Sequence, residues 1–252
     1  MLFWYGVGIG LLNGFFGSGG GIVAVTLLKK QGLQAKEAHA TSLAVILPLS
    51  VISLLIYQRH GNLNLEQTLP FLIPALAGSL LGSWGLKKNS CYRIKSYFLF
   101  ADFVQLCPYA AFLNTQTRRD CMEFSLFSAA AVFFSCAVAA MGLGGGTVLL
   151  LYLSFFSSFS QAQAQATNLL LFIPTAALSI WMHRKNGLIR FSAVKSCFVG
   201  GILGGIAGSV ISNSINGEWL KKAFAVFLLF VGLRELWYIL SPAVQKFFHK
   251  KA

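Results

Sequence analysis

The sequence predicts an all-α polytopic membrane protein made of two homologous four-segment repeats. Three observations predict it: apolar excess, a series of apolar stretches of helical length, and a glycine-rich pattern that occurs twice. Of 252 residues, 56% are hydrophobic and 11% charged, and the mean hydropathy is +0.69. Soluble domains carry about 25% charged residues. Too few polar groups remain to cover a water-facing surface, so the excess apolar surface is expected to face lipid.

The apolar stretches are 2–16, 22–28, 40–57, 69–86, 96–113, 124–141, 147–159, 165–182, 192–215 and 223–240. Eighteen helical residues span about 27 Å, most of a bilayer core. Barrel strands would be about ten residues long and would alternate strictly, which these do not. The short connections leave no room for an inserted soluble domain.

The glycine pattern supplies the repeat. Gly17-Ser18-Gly19-Gly20-Gly21 matches Gly142-Leu143-Gly144-Gly145-Gly146 at an offset of 125. From there the offset is 126: Ala40-Thr41-Ser42-Leu43 meets Ala166-Thr167-Asn168-Leu169, Pro48 meets Pro174, Ser53 meets Ser179, Gly61 meets Gly187, and Gly78 and Gly82 meet Gly204 and Gly208. An ordered series of this length indicates a duplication, with repeats over 1–120 and 121–252 in one membrane domain. Each repeat reads as a Gly-broken helix or re-entrant hairpin followed by three transmembrane helices. Duplicated halves interrupted at equivalent places are typical of secondary transporters.

Net charge is +13. The basic residues stand in short runs between apolar segments, among them Lys29-Lys30, Lys87-Lys88, Arg118-Arg119 and His183-Arg184-Lys185. That pattern suits loops that orient a protein in a membrane, and nucleic acid is not expected as a partner. If the Gly breaks are hairpin tips, the charges divide unequally. The side with both termini then holds Lys29, Lys30, Lys36, Lys87, Lys88, Arg93, Lys95, Arg184, Lys185, Arg190, Lys195, Lys246, Lys250 and Lys251. The other holds Arg59, Arg118, Arg119, Lys221 and Lys222. If the broken helices cross the membrane, no bias appears. The positive-inside rule therefore favours hairpins, inverted repeats and cytoplasmic termini. The expected location is a cell membrane, multi-pass. The N-terminus lacks a basic leader and is read as uncleaved. Five cysteines form no CxxC pair and no metal spacing, so neither a metal nor another cofactor is expected.

The candidate binding residues are Gly17, Gly19, Gly20, Gly21, Thr41 and Ser42, with Gly142, Gly144, Gly145, Gly146, Thr167 and Asn168. Consecutive glycines unwind a helix and leave backbone groups that lipid cannot satisfy. A helix restarting at Ile22 or Thr147 offers free N–H groups and partial positive charge to a small anion. The competing reading of the glycines is close helix packing, which is favoured for Gly78/Gly82 and Gly204/Gly208 because four-residue spacing puts both on one face. Thr41-Ser42 and Thr167-Asn168 can donate to an oxyanion or cap their own helices. Gln161, Gln163 and Gln165 read as interfacial polarity. Asp102 lies inside an apolar stretch, which makes it a candidate for proton coupling; a structural bond to Gln105 is the alternative. No G-x-S-x-G, HExxH or Walker A pattern occurs, so neither an enzyme nor an ATP-driven pump is expected.

On Gly17-Ser-Gly-Gly-Gly21, Ala40-Thr-Ser-Leu43, Arg59-His-Gly-Asn-Leu63 and Gly78-x-x-x-Gly82, each with its counterpart, the chain resembles the sulfite exporter TauE/SafE family of membrane permeases. The resemblance covers essentially the whole chain. It implies transport of an anionic sulfur compound such as sulfite, a sulfonate or an organosulfur acid. The family often has a proline five residues after the glycine motif, where this chain has Thr26 and Leu151. The expected function is a secondary transporter exporting a small anion, with that anion and the lipid bilayer as its partners. The alternative is a non-transporting membrane scaffold or assembly subunit.

Overall fold

Apolar stretches that cannot expose backbone to lipid become helices, and helices are what form. The computed structural model describes residues 2–18, 20–88, 126–141, 145–157 and 159–249. The apolar stretch 96–113 and the candidates Gly19, Asp102, Gly142 and Gly144 lie outside the described residues. The elements are α1 (Leu2–Phe16), α2 (Gly20–Lys30), α3 (Ala35–Arg59), α4 (Leu65–Thr68) with a 3-10 turn (Leu69–Phe71), α5 (Leu72–Lys88), α6 (Leu126–Ala140), α7 (Gly145–Phe156), α8 (Gln161–Lys185), α9 (Phe191–Ser214) and α10 (Gly217–His249). No strand occurs among the described residues. Among the described residues, four helices are long and apolar enough to cross a membrane: Ala35–Arg59, Leu65–Gly85, Gln161–Lys185 and Cys197–Ser214. Large apolar side chains such as Ile73, Phe134, Val199, Val226 and Phe230 face outward. Lipid, not water, matches such a surface.

The chain reverses at both glycine breaks. A β-carbon on Gly20 would stand 2.8 Å from the Ile9 carbonyl oxygen and 2.7 Å from Asn13 Cβ. Along one continuous helix, residues 9 and 20 would be about 16 Å apart. α2 therefore doubles back along α1. Gly145 lies against Ser135 and Ala139 in the same way, so α7 doubles back along α6. With 11 and 12 residues, α2 and α7 are only about 16–18 Å long, too short to cross. Gly17 takes φ +69° at the first tip, a left-handed conformation that costs glycine nothing. The helices restart at Gly20 and Gly145 rather than at Ile22 and Thr147, because glycine can occupy a first turn pressed against another backbone. α2 runs through Thr26, whose hydroxyl donates to the Ile22 carbonyl over 3.0 Å.

Glycine seams lock the hairpins to long helices. Gly6, Gly10 and Gly14 of α1 meet the Cys197, Gly201 and Gly205 carbonyls of α9, and Gly200, Gly204 and Gly208 of α9 meet the Phe3, Val7 and Leu11 carbonyls. The numbers rise together, so α1 and α9 run parallel. Gly78 and Gly82 of α5 meet the Phe133 and Ala137 carbonyls of α6, again a parallel pair. The pairs Gly78–Phe133 and Gly204–Val7 are the same contact with both partners moved by 126 positions in opposite senses, as are Gly82–Ala137 and Gly208–Leu11.

Contacts between the long helices fix their directions. Leu49 of α3 meets Gly201 of α9, and Tyr57 meets Ser212, so these helices are parallel. Tyr57, near the end of α3, packs with Ala166 and Leu169, near the start of α8. α3 and α8 are thus antiparallel. Both end alike: the Asn62 N–H donates to the Tyr57 carbonyl and the Leu188 N–H to the His183 carbonyl, each over 3.1 Å. Gly61 (φ 72°) and Gly187 (φ 67°) supply the left-handed residue this cap needs.

Candidate functional site

Two hairpins packed against antiparallel long helices bring their tips to one cavity. It measures about 30 Å3 and is lined by Gly17, Ser18, Gly21, Gly145 and Gly146 from the tips, Asn13 and Ala139 from the arms, and Ser42, Leu43, Ile46, Asn168 and Phe172 from α3 and α8. A cavity of roughly 10–15 Å3 seats one water, so the space suits a small ion. The tips touch: a β-carbon on Gly146 would lie 3.3 Å from Ser18 Cβ and 3.5 Å from Asn168 Nδ2. One on Gly21 would lie 3.6 Å from Ile46 Cδ1. Four pairs of lining positions stand at sequence offsets of 125 or 126: Gly21 with Gly146, Ser42 with Asn168, Ile46 with Phe172, and Asn13 with Ala139.

No lining residue carries a formal charge. What the cavity offers is backbone polarity and a few side-chain dipoles. α2 and α7 begin at Gly20 and Gly145, and the first-turn N–H groups of a helix have no partner within it. Asn168 Nδ2 donates to the Gly17 carbonyl over 2.9 Å, which leaves one N–H for a ligand. Asn168 Oδ1 and Ser18 Oγ are buried without partners. Asn13 Nδ2 donates to Ser50 Oγ over 3.2 Å and keeps its second proton. Ser42 Oγ donates to the His39 carbonyl over 2.7 Å, so it faces a ligand only as an acceptor.

Of the sequence-derived candidates, the structure brings together Gly17, Gly21, Ser42, Gly145, Gly146 and Asn168. It places Gly20, Thr41 and Thr167 elsewhere. Gly20 is filled against Ile9 and Asn13. Thr41 Oγ1 accepts from the Arg190 N–H over 3.1 Å, and Thr167 Oγ1 lies 3.4 Å from Thr68 Oγ1. Each threonine thus secures the segment ahead of a helix of the other half. Gly145 both lines the cavity and packs on Ala139. Asn13, Ser18, Ile46 and Phe172 were not singled out. Asn13, a lone amide in an apolar stretch, was the available signal; the others have none until the chain folds back.

The glutamines divide by role. Gln163 forms a capping box with Ser160 at the start of α8, and Gln161 Oε1 accepts from Ser154 over 2.9 Å. Gln165 is fully buried, and its Oε1 lies 2.6 Å from the Tyr57 hydroxyl. His183, read from the sequence as part of a basic loop run, is fully buried in the last turn of α8. Its Nε2 lies 3.0 Å from the Ala140 carbonyl oxygen. Tyr57 stands at the matching position of α3, with its hydroxyl 3.0 Å from the Gly14 carbonyl oxygen. An aromatic polar tip thus caps the end of each outer hairpin arm. Among the described residues, no group of three His, Cys, Asp or Glu is placed to hold a metal.

Comparison with known proteins agrees with this architecture. The family profile described as Sulfite exporter TauE/SafE matches residues 1–104 and 127–250. A probable membrane transporter protein of Xylella fastidiosa (strain 9a5c) is 23% identical over 242 residues, covering 91% of each chain. No solved structure matches. A multi-pass helical protein whose profile match spans nearly its whole length is a membrane transporter and not an enzyme: the chain belongs to the sulfite exporter TauE/SafE family.

Proposed function

We propose that this transporter is a secondary carrier that exports a small anion, most specifically sulfite, a sulfonate or another organosulfur anion. One observation carries the reading: two glycine-started helices open into a single small cavity with no carboxylate in its lining. Helix N-termini and side-chain amides favour negative charge. Glycine lets an oxyanion approach the backbone. The absence of a fixed cation keeps binding weak enough for release. Gly19, Gly142 and Gly144 belong to the proposed binding set on sequence grounds.

The mechanism follows from inverted repeats over 1–120 and 121–252. Equal contacts at a 126-residue offset and antiparallel α3 and α8 support that reading. Halves of opposite orientation give one central site two symmetric routes, as alternating access requires. Export of an anion from a negative interior gains about 2.3 kcal/mol per charge per 100 mV, so voltage can drive it unaided. Asp102 is the candidate where a proton is coupled, and Asp102→Asn would then abolish the pH dependence of flux.

Reconstitution in proteoliposomes tests the proposal. Sulfite, simple alkyl sulfonates, thiosulfate and chloride are loaded in turn and their release is followed at a set potential. At least one sulfur anion is expected to leave faster when the potential opposes its retention. It should also raise the melting temperature in detergent. No flux and no stabilisation by any of them would refute an anion carrier.

A further inference from the structure

A polar track leaves the cavity toward the 59–64 loop. Asn13 lines the cavity and donates to Ser50 Oγ. One turn further, Ser53 of α3 and Ser209 of α9 are fully buried, and neither hydroxyl has a partner. Next comes a knot of three buried side chains. The Tyr57 hydroxyl lies 2.6 Å from Gln165 Oε1, 2.8 Å from Ser212 Oγ and 3.0 Å from the Gly14 carbonyl oxygen. Ser212 Oγ donates to Gln165 Oε1 over 3.1 Å, and Gln165 Nε2 has no partner. Beyond the knot, half-buried Asn62 donates to Asn213 over 2.7 Å. On α3, Ser50, Ser53 and Tyr57 share one face. At the matching places of the second half, Ala139 and Ala176 replace Asn13 and Ser50, while Ser179 and Ser83 match Ser53 and Ser209, so the two positions next to the cavity are polar in the first half alone.

Hydroxyls without partners are costly inside a membrane protein unless water reaches them in another state. A line of them, from a cavity to a loop, is what a half-channel looks like when it has closed and dried. The knot at its end is easily rearranged. Tyr57 and Ser212 have two hydroxyl protons between them, facing the Gly14 carbonyl, Gln165 Oε1 and each other's oxygens. Each can satisfy only part of the set at once. The knot also joins α1, α3, α8 and α9, and so ties the first hairpin to elements of both halves.

We propose that Tyr57, Gln165 and Ser212 form the closed gate between the cavity and the membrane face that carries the 59–64 loop, and that Asn13, Ser50, Ser53 and Ser209 line the path it shuts. The proposal rests on the cavity being the binding site. Its test can fail separately from that reading.

The experiment places a single cysteine at Ser53 in full-length protein with the native cysteines replaced by alanine. A charged, membrane-impermeant methanethiosulfonate is applied from the 59–64 side. Tyr57→Phe keeps the ring and removes the hydroxyl. It should speed labelling at Ser53→Cys at least fivefold, and leave a Leu55→Cys control on the lipid-facing surface unlabelled. Ser212→Ala, a smaller change, should do the same to a lesser degree and covers a failure of Tyr57→Phe to fold. Equal labelling in all backgrounds would overturn the gate. Addition of a transported sulfonate, which unlike sulfite reacts neither with the thiosulfonate nor with the disulfide it forms, separates the two readings. If labelling rises in Tyr57→Phe but the sulfonate never alters it, the gate stands and the cavity assignment falls.

Discussion

Asn168 of α8 donates to the carbonyl oxygen of Gly17 over 2.9 Å, tying a long helix of the second half to the hairpin tip of the first. The bond spans 151 positions of sequence. Asn168 also lines the cavity, so one side chain joins the integrity of the tip to the chemistry of the site. Asn168→Ala should leave the Gly17 carbonyl without its partner, destabilising the fold by about 1–3 kcal/mol. Asn168→Asp should be worse for an anion, since it sets a carboxylate against it. Flux should fall to background while the protein is still made. Retained anion flux in Asn168→Asp would remove Asn168 from the site.

Gly146 and Gly145 should respond differently to added bulk. Gly146 faces Ser18 and Asn168 across the cavity, whereas a β-carbon on Gly145 runs into the backbone of Ser135 and Ala139. Gly146→Val should therefore yield a folded, monodisperse protein with transport lowered tenfold or more. Gly145→Val should lose folded protein, because two backbones cannot separate by a side-chain adjustment. Gly21 and Gly20 form the matching pair: Gly21 has ordinary contact with Ile46, and Gly20 is closed by Asn13. Size-exclusion profiles read beside flux distinguish the two kinds of loss.

These pairs show what the sequence can and cannot convey. The duplicated GxGGG identifies the breaks, and the helix ends at Phe16 and Ala140 fall within a residue of the apolar stretches that predict them. Which glycine of each break faces the ligand depends on how the chain reverses, and that is a tertiary fact. Thr41 and Thr167 have the right chemistry for an oxyanion, but their hydroxyls meet Arg190 and Thr68. Gly6, Gly10 and Gly14 stand four residues apart, but their partner α9 lies almost 200 positions away and only the fold pairs them. Tyr57 and His183 share no residue type, so their common duty at the Gly14 and Ala140 carbonyls emerges only in the folded chain.

The seams themselves are testable. A β-carbon on Gly204 or Gly78 would collide with the Val7 or Phe133 carbonyl. Gly204→Leu and Gly78→Leu should each destabilise by about 1–3 kcal/mol or more, read as a lower melting temperature in detergent. Gly232, with open space around its β-position, is the control. Gly232→Ala should leave melting unchanged. Equal melting in all three variants would show that the glycine contacts do not hold the hairpins.

Membrane sidedness can be argued from the loops. Glu37 and Arg190 form an ion pair over 2.8 Å, so the α2–α3 and α8–α9 connections share one face. Asn62 and Asn213 bond on the other. α1 runs parallel to α3 and α9 and starts on the Glu37–Arg190 face. That face holds Lys29, Lys30, Lys36, Arg184, Lys185 and Arg190, whereas Arg59, Lys221 and Lys222 lie near the other. The positive-inside rule then predicts a cytoplasmic Glu37–Arg190 face. Cysteines at Gln34 and Asn186 should label only after the cells are opened, as should an N-terminal tag. Cysteines at Asn62 and Asn216 should label from outside in intact cells. A tag and Gln34 on opposite sides would mean that the first hairpin crosses, and that α1 and α2 are one broken helix. Gln34 labelling from outside, together with the tag, would keep the hairpins and reverse the orientation.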